Sequence, residues 1–126
     1  MAVRIFVFGS NLSGIHGAGA AAHAYKVRGA VWGQGVGLAG ESYAIPTKNY
    51  AIQTLPLDVV EDYVADFIEF AEDHPELEFE VTAIGCGLAG FTPEQIAPFF
   101  VGVPGNCVLP ASFAAVIDWR GRTWIS

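Results

Sequence analysis

The stretch Ile84-Gly85-Cys86-Gly87-Leu88-Ala89-Gly90-Phe91 places three glycines within six residues, directly after an apolar–polar run over 79–84. Glycine loses more conformational freedom on ordering than any other residue, so a cluster calls for a reason, and close approach of backbone to another group is one. Successive main-chain N–H groups in such a loop form a concave anion site. A helix opening at Thr92-Pro93-Glu94-Gln95 carries a cap residue, Pro at its first position and Gln three after the cap. Its free N–H groups would add positive partial charge at the same place. The stretch reads as a phosphate cradle or as a tight strand-to-helix turn with nothing bound.

A second glycine region, Phe8-Gly9-Ser10-Asn11-Leu12-Ser13-Gly14-Ile15-His16-Gly17-Ala18-Gly19, follows the apolar run 4–8 and leads into a helical stretch over 20–28. Two strand–glycine-loop–helix units in one chain suggest two loops facing one ligand beyond the carboxyl ends of parallel strands. Neither ends in the Gly-Lys-Ser/Thr of a nucleoside-triphosphatase loop, and Gly14-Ile15-His16-Gly17-Ala18-Gly19 does not fit GxGxxG. Triphosphate hydrolysis of that kind and a standard dinucleotide fingerprint are therefore not expected.

Working outward, 58–73 is the clearest helix. Val60, Tyr63, Val64, Phe67, Ile68 and Ala71 recur at steps of three and four, while Glu61, Asp62, Asp66, Glu69 and Asp73 fill the other face. Asp58 with Glu61 resembles a capping pair, and Ser13 or Asn11 is a candidate cap for the first helix. Residues 31–40 read as an irregular connection and 42–47 as a short strand in which Pro46 marks an edge or an end. Pro98 should shorten the helix opened at Thr92. Residues 106–110 predict a further strand, and 116–119 with 123–126, split by Arg120-Gly121-Arg122, a terminal hairpin. Strands alternate with helices, which gives an α/β class with a mixed, largely parallel sheet.

The 126 residues predict a single domain over 1–126, and with 52% apolar and 15% charged residues it can bury a core unaided. No apolar stretch approaches a membrane span, and residues 5–8 are too short for a signal peptide, so a cytoplasmic location is the expectation. Two cysteines make no disulfide framework. Net charge is −7, and ten of the thirteen acids fall between Asp58 and Glu80. That balance argues against broad nucleic-acid binding, which uses basic patches, and the acidic run reads as a solvated face. A small nucleotide is still allowed, because backbone donors need no net positive charge.

The three motifs, in this order, resemble the macro-domain superfamily over residues 5–113. Gly85-Cys86-Gly87-Leu88-Ala89-Gly90-Phe91 is similar to its phosphate loop. Asn11 followed by Gly17-Ala18-Gly19 is similar to its other ligand loop, and Tyr43-Ala44-Ile45-Pro46-Thr47-Lys48 to the strand end between them. The branch most alike includes small glycohydrolases that release ADP-ribose, and short macro-like proteins of bacteria and phages. The resemblance implies a three-layer α/β/α sandwich with a cleft for ADP-ribose or a related nucleotide, or for an ADP-ribosylated macromolecule. It implies no cofactor. Amides of Gly17, Ala18 and Gly19 would hold one side of the diphosphate and those of Gly87, Leu88, Ala89 and Gly90 the other, with Gly85 and Cys86 in the same loop. Phe91 would lie against the distal ribose or pack in the core.

The glycohydrolase branch uses a lysine nucleophile, which Lys48 matches, and an assisting loop acid, whose place Ala89 takes. His16, one residue before Gly17, is then the candidate acid–base group, or a structural histidine. Lys48 is nucleophile, phosphate counter-charge or surface lysine. The resemblance is therefore compatible with hydrolysis of an ADP-ribosyl bond, with sequestering or sensing of a nucleotide without turnover, and with an interaction module whose site has degenerated. A non-adenine ligand also fits the resemblance, because the family's adenine-binding acid, which follows a strand ahead of the first loop, has no counterpart that can be placed in these residues. Metal binding is not expected, because His16, His23 and His74 are scattered and neither Cys86 nor Cys107 sits in CxxC spacing.

Overall fold

Alternation along β1 (Val3–Asn11) divides the core into two layers. Ile5 and Val7 face one side, packed with Phe67, Phe79 and Phe100. Phe6 and Phe8 face the other, packed with Ala21, Ala24 and Ala44. In a strand successive side chains point to opposite faces, so two apolar pairs at alternate positions mean a sheet covered on both sides. The computed structural model describes residues 3–119 and 121–124. After β1 come α1 (Gly19–Val27), β2 (Gly37–Ala39), β3 (Ser42–Lys48), α2 (Leu57–Asp73) and β4 (Leu77–Val81). Then follow α3 (Pro93–Ile96), which runs into a 3₁₀ turn (Ala97–Phe100), β5 (Cys107–Pro110), α4 (Ala111–Ile117) and β6 (Thr123–Trp124).

The described strands form one six-stranded sheet in the order β2-β3-β1-β4-β5-β6. Only β2 runs antiparallel to its neighbour. The architecture is the three-layer α/β arrangement with a mixed, largely parallel sheet. α1 covers one face through Ala21 and Ala24, whose small side chains let it lie close. α2, the 3₁₀ turn and α4 cover the other through Val60, Val64, Phe67, Phe100 and Phe113. Each fully buried phenylalanine contributes about 1.5–3 kcal/mol by leaving water. Among the described residues no helix is long and apolar enough to cross a membrane.

Several expectations need correction. There is no terminal hairpin across the described residues: Val116 and Ile117 belong to α4, and β6 pairs parallel with β5. The helix ends where Asp118 turns left-handed at φ 53°. Residues 120, 125 and 126 of that expectation lie outside the described ones. The connection 31–40 contains β2, which makes β3 an interior strand; Pro46 sits past the three residues that β2 covers. Neither expected cap forms. α1 begins at Gly19 behind Ala18, and α2 behind Pro56, both without a side-chain cap. Asp58 instead lies in the first turn of α2, where its charge still suits the helix dipole. At Thr92 the expected pairing is present, with Gln95 Oε1 accepting from the Thr92 N–H at 2.9 Å. Pro98 limits α3 to four residues before the chain tightens.

Two polar devices fasten the amino end of the sheet. Asn106 Nδ2 donates to the carbonyls of Ala71, His74 and Leu77 at 3.0, 3.1 and 3.2 Å, closing the turn between α2 and β4. Replacement Asn106→Ala should cost about 1–3 kcal/mol in urea unfolding, the scale of a lost buried hydrogen-bonding group. Asn106→Asp should cost more, because a carboxylate would face three carbonyl oxygens. Glu78 bridges Arg4 and Arg122. Chiefly through the hydrogen bond from Arg122, its carboxyl is held below the usual carboxylate range. A depressed folded pKa gives stability that is present above the ordinary value and lost as pH falls through the lowered one. Thermal melts should therefore lose stability more steeply below about pH 4.5 in the native protein than in Glu78→Gln.

Candidate functional site

Three adjacent parallel strands end on one edge: β1 at Asn11, β3 at Lys48 and β4 at Val81. The loops that follow them, 12–18, 49–54 and 82–92, surround a cavity of about 720 Å³. Gly17, Ala18 and Gly19 line it on one side, 85–89 on another, and Lys48 between them. The volume and the place beyond the carboxyl ends of parallel strands are those of a small-molecule site.

Side chains holding backbone, rather than core packing, shape these loops. Asn11 clasps Ile15: its Oδ1 accepts from the Ile15 N–H and its Nδ2 donates to the Ile15 carbonyl, both at 2.9 Å. Asn49 folds the middle loop by accepting from the N–H groups of Ala51 and Gln53 at 2.9 and 3.0 Å. That loop ties to both glycine regions. Ser13 Oγ donates to the Tyr50 carbonyl at 2.6 Å, and Thr54 Oγ1 to the Ala89 carbonyl at 2.9 Å. At its tip Ile52 takes a left-handed φ of 61° and lines the cavity. A β-branched residue there is strained by about 1–3 kcal/mol and tends to mark a functional segment.

The glycines fall into two kinds. Some have reasons inside the fold. A Cβ on Gly35 would run into the Asn11 carbonyl, and one on Gly14 into the backbone of Gly33 and Gln34. Gly85 has φ +75° with Phe91 at 3.1 Å from a Cβ. Gly17 and Gly87 have no such reason: neither is left-handed, and a Cβ on either meets nothing within 4 Å. Both line the cavity. Their lack of a side chain leaves backbone open toward the space in front of it.

The wall carries charge of one sign. Among the described residues lining it, Lys48 is the one permanently charged side chain, and no Asp or Glu is present. No carboxylate among the described residues lies within ion-pair distance of Lys48. α1 starts at the wall with Ala18 at its cap position and no side-chain acceptor, so its first N–H groups are left to solvent or a ligand. Cys86 also lines the cavity, but burial, assisted by Glu94, pushes its thiol up to about 11, against a thiolate at neutral pH.

The candidate residues thus separate. Asn11, Gly17, Ala18, Gly19, Lys48 and 85–89 come together on one wall. His16 does not join them. It is 2% exposed, with Nε2 at 3.0 Å from the Val31 carbonyl and 3.1 Å from that of Gln34. Two carbonyl acceptors make Nε2 the donating nitrogen. The ring lies among Phe8, Tyr25 and Trp32 and fastens the 31–34 turn. This corrects the expectation of an acid–base role: the loop turns the histidine inward, away from the cavity. Phe91 packs against the core and returns its N–H to the Gly85 carbonyl at 2.8 Å, and Gly90 closes onto Gly87 at 3.0 Å; neither lines the cavity. α3, four residues long, adds little helix dipole there. Sequence reasoning missed Ile15, Ile52, Thr82 and Trp124, all on the wall. Among the described residues no three His, Cys, Asp or Glu side chains are grouped to hold a metal.

Comparison of the chain with family models, with curated proteins and with solved structures finds no match. The two kinds of glycine are separable by experiment. Gly17→Ala and Gly87→Ala should leave the melting temperature unchanged or raise it, since a compatible Gly→Ala change stabilises by about 0.4–1 kcal/mol. Gly35→Ala should unfold at markedly lower temperature.

Proposed function

We propose that this protein binds ADP-ribose or a related phosphoribosyl nucleotide, with the diphosphate between the two glycine loops and Lys48 beside it. The observation that supports this reading most is the composition of the wall. Two glycine loops with open space in front of Gly17 and Gly87 face one cavity, together with one cation and no carboxylate among the described residues that line it. A site lined in this way favours an anion of extended shape, because backbone N–H groups and a lysine stabilise negative charge where no acid opposes it.

Binding without turnover is the favoured form of this reading. Cleavage of a glycosidic bond at the ribose needs a proton donor or acceptor beside the reacting carbon. Ala89 stands where the resembling enzymes carry an acid, and His16 faces the 31–34 turn instead of the cavity. Lys48 then acts as a counter-charge to phosphate. The protein would hold a nucleotide and release it chemically unchanged.

Calorimetric titration of ADP-ribose, with the recovered ligand checked by mass, tests the reading. Saturable binding with unchanged ligand is the expected result. Gly87→Val should abolish binding while the protein stays folded by circular dichroism. Lys48→Ala should weaken binding roughly tenfold or more, about 1.4 kcal/mol, and reduce its salt dependence. Absence of heat at two temperatures would remove ADP-ribose as the ligand. Loss of an ADP-ribosyl group from a modified macromolecule would replace the binding reading with an enzymatic one.

A further inference from the structure

The glycine loops and Lys48 account for the phosphates and the ribose of such a ligand but leave its base without a partner. The other end of the cavity is built differently. Trp124 on β6 donates its Nε1–H to the Val81 carbonyl at 3.0 Å, which draws the indole back past β5 to the end of β4. There it packs against the layer of Phe6, Phe8, Ala21 and Ala24, and it lines the cavity with Phe6 and Ala21. Lys48 lies on the far side of β1, in register with Asn11. β3 and β4 flank β1, and Val81 pairs with Val7, four residues before Asn11, so at the usual strand spacing and rise Val81 and Lys48 are about 16 Å apart. A bare ribose phosphate does not bridge that distance; a nucleotide does.

Among the described residues, the polar side chains at this end are already engaged. The Trp124 N–H is held by Val81, and the Thr82 hydroxyl donates to the Val7 carbonyl at 2.7 Å. Among the described residues lining the wall, the one side-chain amide, Asn11, lies at the Lys48 end and spends both amide atoms on Ile15. Recognition of a particular base needs donors and acceptors aimed at its edge, whereas contact with an aromatic face accepts any base. We infer that Trp124, with Phe6 and Ala21, forms a subsite at the end of the cavity remote from Lys48, which holds a nucleobase by its face and does not select among bases. This rests on the nucleotide reading above. It also makes β6, a two-residue strand at the sheet edge, part of the site.

The experiment titrates ADP-ribose, its hypoxanthine counterpart and ribose 5-phosphate into the native chain, Trp124→Ala and Trp124→Phe. The two nucleotides should bind the native chain within about threefold of each other. Trp124→Ala should weaken both roughly tenfold and leave ribose 5-phosphate unchanged, and Trp124→Phe, which keeps an aromatic face but gives up the bond to Val81, should recover part of that loss. In the native chain, the indole N–H resonance that Trp124→Phe removes should shift with ADP-ribose and stay still with ribose 5-phosphate. Three results overturn the inference while leaving the nucleotide reading intact: ADP-ribose bound equally by Trp124→Ala, a hypoxanthine counterpart bound ten times more weakly, or an indole signal that ignores ADP-ribose. No binding of any of the three by the native chain removes both.

Discussion

The parallel pairing of β1 with β3 on one side and β4 on the other governs the whole carboxyl edge of the sheet. Asn11 lies in register with Lys48, and the Leu12 N–H donates to the Lys48 carbonyl at 2.9 Å, so two strands stop together. On the other side Thr82 leaves β4 with its N–H and its hydroxyl both on the Val7 carbonyl. These bonds fix where three loops begin. A one-residue slip of β1 would exchange Phe6 and Phe8 with Ile5 and Val7 between the two faces. The two apolar layers therefore enforce the register, and the register places the cavity. Stability and site geometry have one origin in the alternation along a single strand.

The loops themselves draw little on the core. Asn11 and Asn49 each hold backbone within their own loop, while Ser13 and Thr54 tie the middle loop to its neighbours. Such side-chain bonds are directional and fix backbone without filling space, which suits a region that must stay hollow. The left-handed Ile52 is the cost of this arrangement, since the Asn49 turn positions it against its own backbone preference. A cavity held open by bonds across three loops needs little rearrangement to accept a ligand, and preorganisation of that kind lowers the entropy lost on binding.

The parts of this design that repeat locally were legible in the sequence. α2 follows from its three- and four-residue apolar spacing and the two glycine loops from composition after apolar runs, whereas Lys48 is picked out only by the family resemblance. The parts set by distant contacts were not. His16 precedes Gly17 in the chain yet faces the opposite way, because the carbonyls of Val31 and Gln34 claim its Nε2. Phe91 follows a glycine loop that lines the cavity yet belongs to the core. Val116 and Ile117 look like strand residues but finish a helix whose burial rests on Phe113. Trp124 sits in a strand two residues long, and its place on the wall depends on Val81, more than forty positions away. Local propensity carries no information about such pairings.

Charge distribution separates the two ends of the sheet. Arg4 and Arg122 meet Glu78, and Arg4 and Arg28 meet Glu80, near the start of β1 and along β4. Among the described basic residues, Arg4, Arg28 and Arg122 are engaged there, and of Lys26 and Lys48 only Lys48 lines the cavity. With a net charge of −7, the protein as a whole repels an approaching anion. That repulsion is screened over about 8 Å at physiological ionic strength, whereas contacts inside the cavity are not. An anionic ligand would therefore gain little from steering and would depend on short-range donors: the amides of the glycine loops, the uncapped start of α1 and one ammonium. Under the proposed reading, glycine at positions 17 and 87, where the fold itself does not require it, would let backbone act where the described wall carries one cation.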